Sequence, residues 1–189
     1  MDEPASTAPI VLDFRPQQGT VFEYDAGPED PKTQPWELVN IVYPGFAGPP
    51  LHFHPSAAES FEVIDGTLDI FVDGKWSQLQ VGESATVPPR VPHTLRNSSE
   101  RPVRFRGAHI PGLGFERFMN RQLALVKDGK VRTFPPKDPV SMVYLAMLAH
   151  EHRADVRTIR PPGWLTAPLA RFGRLLGIKL PPYDIEAWR

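Results

Sequence analysis

Three histidines and one glutamate fall at spacings suited to a single divalent cation. His52 and His54 are two residues apart, and alternate side chains of a strand point to one face, so a strand here aims both imidazoles the same way. Glu59 begins the alternation Glu59, Phe61, Val63 and can reach the same interior from a neighbouring strand. His93 comes from a distant segment, as expected where a barrel gathers ligands from several strands. Imidazole suits zinc, copper, iron and nickel, and a carboxylate keeps manganese acceptable. One divalent ion (iron, manganese, nickel or zinc) is therefore the expected cofactor. Four protein ligands would leave an octahedral ion two open positions for water, oxygen or substrate.

The elements that must position these groups are short strands. Trp36 to Tyr43 alternates, and further strands are expected near 50–54, 59–65, 67–73, 75–79, 84–88, 92–97 and 102–109. Asp65-Gly66 and Asp73-Gly74 are hairpin turn signals between them. Many short strands separated by such turns predict an antiparallel sandwich or barrel. Asp25 to Pro35, with two proline-containing turn pairs, reads as an exposed loop. The final third changes character. Asp138-Pro139 reads as a helix N-cap followed by proline at the first helical position. A second helix is expected from about Thr166, with Leu169, Phe172, Leu175 and Leu176 on one side and Arg171, Arg174 and Lys179 on the other. Docking onto the barrel or a second subunit is its expected use, ahead of lying on a membrane surface. His150 and His152 would be split across helix faces by their spacing, and read as surface residues rather than a second metal site.

Taken singly, each piece of the metal site is weak; the conjunction is what carries weight. The blocks Gly45–Gly66 and Gly82–Asn97 resemble the two motifs of the cupin superfamily, commonly written G(X)5HXH(X)3–4E(X)6G and G(X)5PXG(X)2H(X)3N. The first matches from His52 through Glu59 to Gly66, with its leading glycine displaced between Gly45 and Gly48. The second matches at Gly82, Pro88, His93 and Asn97, but Arg90 stands where a glycine is usual. The resemblance covers about residues 35 to 118. It implies an all-β fold, an antiparallel cupin β-barrel (jelly roll, or double-stranded β-helix), here with a C-terminal helical extension. It also implies metal roles for His52, His54, Glu59 and His93, and it allows Glu59 to act as a catalytic base, as in quercetinase-like cupins.

Boundaries are expected at 1–18 for an N-terminal arm, loose over residues 1–9, at 19–120 for the barrel and at 121–189 for a mostly helical extension. His109 shares strand parity with Val103 and Phe105 and can point inside. A core histidine bonded to a carbonyl is the plainer reading, and a proton shuttle or substrate contact the functional one. Phe53, Phe61, Phe71, Trp36, Trp76 and Phe105 could line the cavity, although most aromatics in a small barrel are core. Phe61, Phe105 and His109 are the candidate substrate-binding residues.

With 21 basic against 22 acidic side chains, the net charge is −1. No basic excess points to nucleic acid or an anionic membrane. There is no cysteine, hence neither disulfides nor a thiolate ligand. The first residues lack the basic and apolar regions of a secretory leader, so a cytoplasmic protein is expected. The expected function is a metal-dependent oxygenase of dioxygenase type acting on a small organic substrate, aromatic ones included. Alternatives are a non-catalytic metal- or ligand-binding module, or a cupin isomerase or decarboxylase. A homodimer is expected, since open sheet edges and apolar helices both need covering.

Overall fold

The computed structural model describes residues 9–184. Residues 1–8 of the expected arm, and the last five of the extension, lie outside the described residues. In chain order the elements are β1 (Ile10–Asp13), α1 (Arg15–Gln18), β2 (Thr20–Tyr24), β3 (Trp36–Val42), β4 (His52–Phe53) and β5 (Ala58–Asp65). There follow β6 (Leu68–Val72), β7 (Lys75–Leu79), β8 (Ser84–Val87), β9 (His93–Arg96), β10 (Val103–Ile110), α2 (Phe115–Lys127), α3 (Pro139–Glu151), β11 (Arg157–Thr158) and α4 (Gly163–Leu175).

The strands form two antiparallel sheets, ordered β1-β2-β3-β10-β5-β8 and β11-β4-β9-β6-β7. Alternation decides which side chains fill the space between them. In β10, Val103, Phe105 and His109 are buried, while Arg104 and Arg106 face out. The central core joins Phe61 and Val63 of β5, Leu68 and Ile70 of β6, and Val103 and Phe105 of β10. A second cluster lies beneath α2, where Met119 and Leu123 pack on Ile10, Leu12, Phe14 and Trp36. Residues 10–24, spanning the expected arm and the start of the expected barrel, thus form a sheet-edge hairpin whose inward residues are fully buried.

The local signals act as their chemistry requires. Asp73 and Gly74 both have positive φ, 46° and 89°, the conformation of the two-residue turn that suits strand twist; Val72 pairs with Lys75 across it. The Asp138 side chain accepts a hydrogen bond from Ser141 N at 2.9 Å, capping α3 with Pro139 in its first turn. The segment 50–54 yields only a two-residue strand, because Pro49, Pro50 and Pro55 bracket it and lack N–H groups for a ladder.

One buried carboxylate fastens the second sheet. Asp69 on β6 accepts from Gln78 Nε2 at 2.9 Å, from Arg96 Nε at 3.1 Å and from the Ser98 hydroxyl. Burial pushes its pKa up, but Ser98, Gln78 and Arg96 outweigh that and hold it below the usual 3.8. A depressed folded-state pKa means that its contribution is complete above the ordinary aspartate value and is lost as pH falls through the lowered one. Asp69→Asn is therefore expected to cost about 2 kcal/mol at neutral pH. Thermal melts should show variant and parent converging in strong acid.

Candidate metal centre

Strand register assembles the site. His52 on β4 lies opposite His93 on β9, and Glu59 on β5 lies opposite His109 on β10. His54 follows β4 and is brought to the same end of the barrel. Ligand atoms of His52, His54, Glu59 and His93 all lie within 4.8 Å of one another. The three imidazoles are 7% exposed or less, so this is an interior cluster and not a chance surface grouping.

The second nitrogen of each ring settles how the cluster is prepared. His52 Nδ1 lies 2.9 Å from Pro50 O, His54 Nδ1 2.7 Å from Asp155 O, and His93 Nδ1 2.8 Å from Val91 O. Carbonyl oxygens only accept, so each ring donates from Nδ1 and turns Nε2 inward, where a neutral ring offers its lone pair to a cation. Carbonyl partners of this kind fix the tautomer and orientation of metal-binding histidines. His54 Nε2 is buried and lies 3.3 Å from Glu59 Oε2. These donors fit a divalent cation of the kind that takes nitrogen and oxygen ligands.

Electrostatics agree with that reading. Burial would raise the Glu59 pKa, but the surrounding histidines, His109 foremost, hold it well below the usual carboxylate range. Burial, with repulsion from His93 and His54, pushes His52 down to about 3. His93 moves up despite burial, because Glu59 Oε2 lies 2.7 Å from its Nε2. Four imidazoles thus gather around one carboxylate, an arrangement that a cation would complete.

His109 belongs to this cluster rather than to the carbonyl-bonded core expected for it. Its Nε2 is 3.2 Å from Glu59 Oε1, and its Nδ1 is buried with no partner. Trp36 stacks on one side, 6.0 Å between centroids, and Phe115 lies against it at 3.8 Å. Phe61 reaches His93 at 6.5 Å, and Phe105 lies one layer deeper against Phe61, at 5.9 Å. Both are floor rather than wall. Phe71 and Trp76 pair on the far strands with Trp76 exposed, away from the histidines. Surface depressions at Asp25–Glu37 and beside Arg104 and Arg106 are lined by none of these histidines.

The helical extension supplies residues that sequence reasoning missed. β11 pairs with β4, setting Thr158 opposite His52. Asp155 holds His54 through its carbonyl, while its carboxylate accepts from Gly114 N at 2.9 Å and binds His152 Nδ1 at 3.0 Å. His152 is consequently buried, 5% exposed, which corrects the expectation of a surface residue. Spacing along α3 takes no account of its neighbours, and the fold lays α2 and the Asp155 turn over that side. The role of Asp155 at the site leaves no local pattern, because His54 and Gly114 are far away in the chain.

Two departures from the motifs also resolve. Gly48 has φ +88°, and a Cβ there would strike the Leu95 carbonyl, so the displaced glycine is one the packing requires. Arg90 adopts φ +68° despite its side chain, and its backbone N donates to His54 O at 2.8 Å. A non-glycine residue in this region is strained by roughly 1–2 kcal/mol. Arg90→Gly is accordingly expected to stabilise the fold by about 1 kcal/mol in denaturant titrations, with the turn kept.

Residues 39–109 match the family model described as the cupin domain. The barrel has the cupin fold. Among curated proteins, the chain is 32% identical over 109 residues to the HTH-type transcriptional regulator SutR of Escherichia coli strain K12, covering 57% of this chain and 60% of that protein. It is 38% identical over 52 residues to quercetin 2,3-dioxygenase of Bacillus subtilis strain 168, 28% of this chain and 15% of that one. The chain thus spans less than two thirds of the length of either curated relative. A solved cupin domain from an XRE family transcriptional regulator of Enterobacter cloacae is 28% identical, with a TM-score of 0.41, over 49% of this chain and 97% of that one.

Proposed function

We propose that this cupin holds one divalent metal ion through His52, His54, Glu59 and His93, and that it is an oxygenase of dioxygenase type acting on a small organic substrate. The observation that carries the reading is the set of three Nδ1–carbonyl hydrogen bonds, which turns three Nε2 atoms toward one carboxylate. A bound ion would polarise a substrate hydroxyl or carbonyl and so favour loss of a proton from it.

The chain's own residues then divide the work. Asp155, Pro50 and Val91 hold the imidazoles in place through their carbonyls. Glu59 serves as ligand, and could accept the substrate's proton on the oxygen facing His109. His109, with a ring nitrogen free of partners, is placed to relay that proton or to touch substrate. Phe115, beside His54 and His109, excludes water, while Phe61 and Phe105 form an apolar floor compatible with an aromatic substrate. The local match to a quercetin dioxygenase supports this direction.

Anaerobic loading with ferrous iron, followed by oxygen uptake across catechols, flavonols and diketones, tests the proposal. Uptake with at least one compound, abolished in His93→Ala, is the expected result. Retained metal with no uptake would favour a second reading, a metal- or ligand-binding module without turnover. That reading has its own support in the likeness to a transcriptional regulator. Isomerisation or decarboxylation of the panel without oxygen would instead point to the non-oxidative chemistries of the same constellation.

A further inference from the structure

α4 turns its large apolar side chains away from the protein. It meets α3 through small residues: Ala170 is fully buried, and a Cβ on Gly173 would run into Met147 and Val143. At about 100° per residue, Trp164, Leu165, Phe172 and Leu175 fall on the opposite side. They are 76%, 53%, 53% and 85% exposed, and Leu176 continues the ridge at 61%. The helix therefore does not dock on the barrel by its leucine face, correcting that part of the expectation. Single exposed leucines need no account, but an apolar ridge of this kind marks an interaction site.

Charge selects the partner. Exposed Arg171 and Arg174 flank the ridge on one side. From Val156 to Tyr183 there are five basic side chains and no acidic one, although the whole chain carries −1. The near-neutral total hides two regions of opposite sign. A second copy meeting this face across a twofold axis would bring two basic helices together, with no acid on either to answer them. An anionic lipid surface answers both features. The ridge would enter the boundary between headgroups and acyl chains, tryptophan would sit at headgroup depth, and the guanidinium groups would reach phosphates.

We propose that α4 docks this protein onto the surface of an anionic lipid bilayer, lying in the plane of the membrane. Its 13 residues span about 20 Å, short of the roughly 30 Å hydrocarbon core, and no described helix is long and apolar enough to cross a membrane.

Sedimentation of the full chain with vesicles provides the test. Binding is expected to mixed phosphatidylcholine and phosphatidylglycerol vesicles, not to phosphatidylcholine alone, with release at high salt. Arg171→Gln with Arg174→Gln should weaken the partition by about 30-fold, at roughly fivefold per cation. Phe172→Asp with Leu175→Asp should abolish it, while circular dichroism shows the fold intact, since both residues are exposed. Trp164 emission should shift to the blue on binding, a signal lost in Trp164→Phe. No binding to anionic vesicles, or binding unchanged in the double aspartate variant, overturns the proposal. A dimer in light scattering that the same variant dissociates, with no vesicle binding, would assign the ridge to a second copy instead.

Discussion

His54→Ala is expected to lower the affinity for a divalent metal by at least 100-fold, above the roughly 10–100-fold that losing an outer partner of a metal ligand costs. The side chain is buried and its Nε2 lies 3.3 Å from Glu59 Oε2, inside the cluster of proposed ligands. The barrel core does not depend on it. Phe61, Val63, Leu68, Ile70 and Phe105 pack with one another and not through the ring. The variant should therefore melt within about 2 kcal/mol of the parent, the modest end for a buried polar side chain replaced by a smaller one. Elemental analysis of protein expressed with excess metal checks both halves, alongside a denaturant titration. A variant still fully loaded would remove His54 from the ligand set.

Asp155→Ala should produce a different pattern, a stability loss of about 3 kcal/mol with metal affinity down roughly tenfold or more. The substitution leaves the His152 ring and the Gly114 N–H without their acceptor. It also loosens the turn whose carbonyl holds His54. Asp155→Asn keeps an acceptor oxygen and should recover part of both losses. His150→Ala, on a half-buried histidine outside this network, should leave metal content unchanged. If Asp155→Ala destabilised the fold but bound metal with parental affinity, the carbonyl contact would be packing without influence on the site.

Much of the barrel was legible because strand parity is a short-range rule. Val103, Phe105 and His109 share a face in any strand, and the fold keeps them there. Asp73-Gly74 could be read for the same reason, since the turn is decided by its own two residues. The four proposed ligands were legible as a spacing pattern, although only register sets His52 against His93. What escaped was covering. That Phe115 would lie on His109, or that Asp155 would reach His54, depends on where α2 and α3 come to rest, and no periodicity encodes that. The face of α4 was misjudged for a related reason. Its leucines look like a docking stripe until Ala170 and Gly173 are seen to make the contact, close approach having been preferred to bulk.

Thr158 pairs with His52 more than a hundred residues earlier in the chain, and Asp155 grips His54 over a similar distance. During synthesis, the central strands can pair soon after Ile110 leaves the ribosome, but the rim around the histidines stays unfinished until residues 155–158 emerge. On the proposed reading of the site, cation uptake should accordingly be a late event in biogenesis. A nascent chain halted just after β10 would have a folded sheet and little hold on metal.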